Sequence, residues 1–153
     1  MSELEELKEL KEPFRYTTTH PMDDKGRVSL PSEYRRALPE DLLVAMAPDK
    51  GFPHLRIYSK EDYSAWVDSI FEAKGGFKAN KAEHDFLKGE MFANTRKLTL
   101  DSKYRISIHP ELRKYASLQD EVVIRGAGDH VQIWDAEALA RYRSSFSAVS
   151  IFD

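Results

Sequence analysis

Two short runs carry most of the chemistry this sequence can offer. Asp23-Asp24-Lys25-Gly26-Arg27 and Asp101-Ser102-Lys103-Tyr104-Arg105 share the pattern Asp-x-Lys-x-Arg. The leading aspartate of such a run can accept backbone N–H groups two residues on, and Gly26 supplies a positive-φ backbone that other residues resist. A loop fixed in this way projects Lys25 and Arg27, or Lys103 and Arg105, from a defined backbone. A planar guanidinium so held can donate two hydrogen bonds to guanine O6 and N7, or to a phosphate. Held twice, it can read two nearby DNA segments. A plain hairpin turn with solvated cations is the alternative. Repetition in register weighs against it, although a duplicated fold also repeats for purely structural reasons.

The two runs belong to a longer internal repeat. DDKGRVSLPSEYRR at 23–36 lies over DSKYRISIHPELRK at 101–114 with a constant offset of 78, and six of the fourteen positions are identical. Phe14 and Phe92 fall at the same offset, and LRIYSKEDY (55–63) lies over VQIWDAEAL (131–139) after a two-residue contraction. In each unit the turn leads into a short alternating stretch, Val28-Ser29-Leu30 or Ile106-Ser107-Ile108, which reads as a half-buried strand. A proline-started helical turn follows at Pro31 or Pro110. Two further strands are expected near 42–47 and 54–58 in the first unit and near 121–125 and 130–134 in the second, with GAGD (126–129) as a hairpin turn.

Helices are expected to close each unit. Ser59 and Asp135 occupy equivalent N-cap positions, and Tyr63, Trp66, Val67, Ile70 and Phe71 then recur at the spacing of one broad apolar face. Gly75-Gly76 should stop that helix. Residues 79–93 should form another, with Ala79, Ala82, Phe86 and Phe92 among its charges. The last helix starts at Ala136 and uses Leu139, Tyr142, Phe146 and Val149, while Leu4, Leu7 and Leu10 offer a thin stripe for a helix over 1–12. The expected organisation is an acidic extension (1–13), a first unit (14–64), connecting helices (65–91), a second unit (92–142) and a tail (143–153). One unit of about 50 residues buries too little surface to stand alone. Two in tandem can pair their strands into one barrel with a pseudo-two-fold axis, so the expected class is α+β, mainly β.

Composition narrows the function classes. The chain has 153 residues and no cysteine, which excludes disulfides, thiolate zinc sites and a cysteine nucleophile. No apolar run approaches the ~18 residues of a membrane span, and the charged start does not read as a signal peptide, so a soluble cytoplasmic protein is expected. Residues 1–12 hold five Glu against two Lys, which accounts for the whole net charge of −3 and leaves 21 basic and 21 acidic residues in the rest. A nucleic-acid partner must therefore meet a local patch. The five histidines form no His-x₃-His pair and no His-Glu-x-x-His. His84-Asp85 reads as a solvated helix face, His130 as a hairpin residue, and Gly126-Ala127-Gly128 is too short for a nucleotide loop. No catalytic residue, metal or cofactor is expected.

Phe14-Arg15, Asp23 through Pro31, Tyr34-Arg35, Leu100-Asp101 through Leu112-Arg113, Gly126-Ala127-Gly128-Asp129-His130 and Trp134-Asp135 together resemble the MraZ family over about residues 14–142. The resemblance implies a tandem SpoVT-AbrB swapped-hairpin fold. It also implies a bacterial transcriptional regulator that binds direct repeats of double-stranded DNA in the promoter of its own cell-division and cell-wall cluster, assembles into rings and associates with the nucleoid. It carries DNA contact onto Lys25 and Arg27, with Lys103 and Arg105 as second-unit counterparts and Arg15 upstream, and a turn-forming role onto Asp23, Gly26 and Asp101. Tyr104 stands where the family usually has glycine. The second turn must then either take a strained tyrosine or adopt another turn type. An oligomeric scaffold or an antitoxin-like protein-binding module is the competing reading, supported by the apolar face at 63–71.

Overall fold

A computed structural model describes residues 13–34, 37–39, 41–48 and 51–149, and among these the chain forms eight strands and four α-helices. β1 (Thr17–Pro21), β2 (Arg27–Ser29), β3 (Asp41–Met46) and β4 (Leu55–Ser59) are followed by α1 (Lys60–Glu72) and α2 (Ala82–Ala93). The second half holds β5 (Thr95–Thr99), β6 (Arg105–Ser107), α3 (Pro110–Tyr115), β7 (Glu121–Gly126), β8 (Val131–Trp134) and α4 (Ala136–Ser145). A 3-10 turn at Ser32–Tyr34 takes the place in the first unit that α3 takes in the second. The helix expected over residues 1–12 lies outside the described residues.

The pairing is reciprocal. Six strands form one antiparallel sheet in the order β1-β7-β8-β4-β3-β5, and β2 pairs with β6 in a separate ribbon. The hairpins β3–β4 and β7–β8 meet at the centre, where Arg56 faces Gln132. β1 then crosses to the hairpin of the second unit and β5 to that of the first. This exchange makes the molecule a swapped-hairpin, barrel-like fold. β1 and β5 are the two strands absent from the sequence-based expectation. Thr-Thr-Thr-His-Pro and Thr-Arg-Lys-Leu-Thr show little apolar alternation, and both find their partners in the opposite unit.

Strand alternation sorts side chains to two faces. Val28, Leu30, Leu42, Val44, Leu55, Ile57, Ile106, Ile108, Leu112, Ile124, Val131 and Ile133 share the main core, which the β2–β6 ribbon covers from one side. α1, α2 and α4 cover the other face, while α3 joins the main core through Leu112. Ser59 Oγ accepts from Asp62 N at 3.1 Å and a carboxylate oxygen of Asp135 accepts from Ala138 N at 3.0 Å, so the two caps stand at the positions their spacing predicted. Tyr63, Val67 and Phe71 of α1 pack with Ala45, Tyr58 and Met91, so the broad apolar face is directed at the protein's own sheet. Gly75 and Gly76, both at positive φ, end the segment, with Gly76 N donating to Phe71 O at 2.8 Å.

Two helical stripes differ from expectation. In α2 it is His84, half-buried Leu87 and Met91 that face inward, while Phe86 and Phe92 are exposed. His84 is therefore not a solvated helix residue. Its Nδ1 accepts from Lys78 N at 3.1 Å and its ring lies 5.4 Å from that of Phe71, which rotates the helix away from the Phe86 side. In α4 the buried face comprises Ala138 and Leu139, with Tyr142 half-buried, and Phe146 and Val149 are exposed.

Between the two helix-covered clusters runs a chain of polar side chains. Asp129 accepts from His130 Nδ1 at 2.8 Å, His130 Nε2 accepts from Gln132 Nε2 at 3.0 Å, and Gln132 Oε1 accepts from Trp134 Nε1 at 2.9 Å. The His54 ring stacks on Trp134 at 4.1 Å, with Nδ1 donating to Phe52 O and Nε2 accepting from Arg56 Nε at 3.1 Å. Each donor has an acceptor only while both imidazoles are neutral. Burial holds the His130 pKa below its ordinary 6.5, against the pull of Asp129, and His20 is lowered by burial as well. The folded state thus binds these protons more weakly than the unfolded chain. The stability that these two histidines contribute is complete above pH 6.5 and falls as pH drops below it towards the lowered folded values. The urea midpoint should therefore decline between pH 7.5 and 5, and in His130→Gln the decline should be smaller. An equal decline in both proteins would remove His130 from this role.

Candidate nucleic-acid interface

The two Asp-x-Lys-x-Arg turns are built from the same hydrogen bonds. Asp23 Oδ1 accepts from Lys25 N at 3.0 Å and Arg27 N at 2.9 Å, Gly26 N donates to Asp23 O at 3.0 Å, and Arg27 Nε donates to Asp23 Oδ2 at 2.6 Å. In the second turn Asp101 Oδ1 accepts from Lys103 N at 2.8 Å and Arg105 N at 2.9 Å, Tyr104 N donates to Asp101 O at 3.0 Å, and Arg105 Nε donates to Asp101 Oδ2 at 2.8 Å. Both aspartates are held below their ordinary pKa, first by the backbone N–H of the arginine four residues on. The carboxylate therefore stays charged and orients the guanidinium through one of its five donors, leaving the rest of the fork for a ligand.

Tyr104 resolves the question its identity raised. It takes φ 57 where Gly26 takes φ 78, so the second turn keeps the first turn's type and accepts a left-handed tyrosine. The turns differ in what occupies the surface between lysine and arginine. Gly26 is buried and puts no side chain there, whereas the Tyr104 ring is 39% exposed between Lys103 and Arg105.

Each turn is clamped by the opposite unit. Ile108 N donates to Gly26 O at 2.8 Å, and its counterpart Leu30 N donates to Tyr104 O at 3.1 Å. Between these bonds lies the ribbon, with Val28 opposite Ile106, Arg27 opposite Ser107 and Ser29 opposite Arg105. Val28 and Ile106 point into the core, so Arg27, Ser29, Arg105 and Ser107 share the outer face. Arg27 and Arg105 are then diagonal neighbours, with Cα atoms about 7–8 Å apart. A two-stranded β-ribbon is narrow enough for the ~12 Å width of a B-DNA major groove.

Arg27 and Arg105 thus come together on one surface, with Lys25 and Lys103 in the turns at its two ends, and Asp23, Gly26 and Asp101 shape those turns. Arg15 does not join them. It lies exposed before β1, its carbonyl accepting from Tyr34 Oη at 2.7 Å, and the five extended residues of β1 put about 17 Å between it and the first turn. Ser29 and Ser107, identical at the repeat offset, lie on the same outer face, although neither is among the candidate site residues. Among the described residues no cluster of three or more His, Cys, Asp or Glu could hold a metal, and no helix is long and apolar enough to cross a membrane.

The family described as "MraZ protein, putative antitoxin-like" matches residues 14–86 and 91–153, one match for each unit. The chain belongs to the MraZ family. Among MraZ relatives, the protein named transcriptional regulator MraZ from Mycobacterium avium is 34% identical over 141 residues, covering 90% of this chain and 94% of the relative. Proteins of the same name from Corynebacterium urealyticum and Corynebacterium jeikeium are 33% and 35% identical, covering 86% and 82% of this chain and 87% and 83% of those relatives. The two MraZ matches divide the chain within α2, at residues 87–90.

The close approach at Gly26 gives a test of the interface geometry. A Cβ at Gly26 would lie 2.7 Å from Ile108 O and 2.9 Å from Arg113 Nε, on a backbone at φ +78. Gly26→Ala should cost about 1–3 kcal/mol in urea unfolding, by overpacking and by left-handed strain together. Gly89, inside α2 with nothing within 4 Å of an added Cβ, should show the opposite sign, with Gly89→Ala gaining about 0.5–1 kcal/mol. Equal and small effects at both positions would contradict the clamped turn.

Proposed function

We propose that this protein is a sequence-specific DNA-binding transcriptional regulator that enters the major groove with the β2–β6 ribbon. The observation that carries this reading is the shared outer face of Arg27, Ser29, Arg105 and Ser107, with each arginine oriented by its own aspartate. The relatives' name, transcriptional regulator MraZ, supports the same reading. Lys25 and Lys103 flank the arginines as phosphate contacts. The reading extends to direct repeats in the promoter of the protein's own cell-division and cell-wall gene cluster, to a homo-oligomeric ring and to a cytoplasmic, nucleoid-associated place in the cell. No cofactor enters it. The scaffold reading rested on the apolar face at 63–71, and that face covers the protein's own sheet.

In a mobility-shift titration, Arg27→Ala should weaken operator binding more than Arg105→Ala. Only the first turn leaves the surface between its lysine and arginine free of a side chain, and one lost bidentate base contact is worth roughly 1–3 kcal/mol. A larger loss in Arg105→Ala would reverse the assignment of the two turns, and protection of no DNA upstream of its own gene in a footprint would remove the promoter reading.

With 21 basic and 21 acidic residues beyond position 12, one subunit neutralises few phosphates, so strong binding depends on several subunits acting together. Light scattering should report a mass several times 17.6 kDa. A duplex with one repeat should bind far more weakly than one with two or three, and inserting about 5 bp between repeats should harm binding nearly as much as deleting one, because it turns the second site to the far side of the helix. A monomer, or equal affinity for one and three repeats, would contradict this.

A further inference from the structure

The repeat makes one difference between the two turns visible that the DNA-reading residues themselves do not explain. Lys25 lines a cleft of about 610 Å³ whose other polar walls are Arg96, Lys97, Ser107 and His109, three of them on β5 and α3's N-cap. The cleft adjoins the first turn, yet apart from Lys25 its basic residues come from the second unit. At the repeat offset of 78, Arg96 and Lys97 correspond to Thr18 and Thr19, and His109 corresponds to Pro31. The second turn therefore has two threonines and a proline in the positions where the first has two cations and an imidazole.

Protection of an open sheet edge does not account for these charges. β1 and β5 are the two edges of the same sheet, and β1 carries neither lysine nor arginine. Arg96 faces Val44 across the ladder and shares a strand face with buried Leu98, which turns it towards α3 and the cleft. There it pairs with Glu111 at 3.2 Å, with both side chains exposed, so the pair is weak and solvent-screened. His109 Nδ1 accepts from Glu111 N at 3.3 Å, and a neutral ring then carries its proton on Nε2 as a further donor.

We propose that Arg96 and His109, beside Lys25, bind the phosphodiester backbone of the DNA strand that flanks the first turn, so that the protein grips the duplex on one side of the ribbon and docks with a fixed polarity. The inference rests on the DNA-binding reading above. Glu111 acts as a competitor for Arg96: it holds the guanidinium in the free protein and yields it to a phosphate, whose charge and geometry suit the fork better.

The test uses the full chain and measures affinity for operator and for unrelated duplex DNA across a salt series. Arg96→Gln should weaken both by the same factor, about threefold to tenfold at ~0.15 M salt, and should lower the salt slope by about one phosphate contact per subunit. Arg96→Lys should keep the slope. Glu111→Gln should tighten binding to both duplexes, which checks the site without removing Arg96. Unchanged affinity and slope in Arg96→Gln, with Glu111→Gln also silent while Arg27→Ala loses operator binding, would overturn the phosphate cleft and leave the DNA-binding reading standing. A loss confined to operator DNA would overturn it in favour of base reading by Arg96. A native protein that binds no duplex would remove both together.

Discussion

Everything at the interface depends on two hydrogen bonds that cross between the units, Ile108 N to Gly26 O and Leu30 N to Tyr104 O. A ribbon of three residues per strand is too short to persist in water by its own pairing. It persists here because Val28 and Ile106 at its centre are buried in the main core and because each turn's fourth residue is held by the unit opposite. Neither unit could present its arginine alone. The swapped exchange of β1 and β5 into the opposite hairpins is the same dependence expressed in the large sheet.

This arrangement separates two tasks that sequence patterning alone leaves mixed. One face of the sheet and the ribbon enclose an apolar core, and the opposite face carries helices and a directed chain of hydrogen bonds from Asp129 to Trp134. The helical faces that could have served a partner are used against the protein's own strands, with Tyr63, Val67 and Phe71 on Ala45 and Tyr58. Among the described residues the ribbon's outer face has no such cover, and Ser29 and Ser107 are exposed there. Its arginines are held through Nε by carboxylates that are themselves fixed by backbone N–H groups, so side-chain freedom is already reduced before any ligand arrives.

The pseudo-two-fold axis is a symmetry of backbone and not of chemistry. Tyr104 takes the left-handed conformation that Gly26 takes freely, so the turns superpose in hydrogen bonding while differing in surface. Arg96 and Lys97 against Thr18 and Thr19 extend the difference beyond the turns. The two units share the scaffold that positions the arginines and differ in the surroundings of each turn.

The local features were legible in the chain because their causes are local. Asp-x-Lys-x-Arg closes on its own backbone, Ser59 and Asp135 cap the residues just after them, Gly75-Gly76 stops a helix, and the strand pair around GAGD is joined by its own turn. The repeat offset made the pseudo-symmetry readable, and with it the expectation of a shared barrel. Tertiary structure alone decided what depends on distant partners. β1 and β5 are strands because the opposite unit offers them an edge, Phe86 and Phe92 are exposed because His84 docks α2 on Phe71, and Arg15 stands away from the turn because an extended strand lies between them. The same holds for the interface: its side chains could be named from spacing, but their meeting on one face required two strands 78 residues apart to pair, a contact whose energy comes from burying Val28 against Ile106 and which no local pattern encodes.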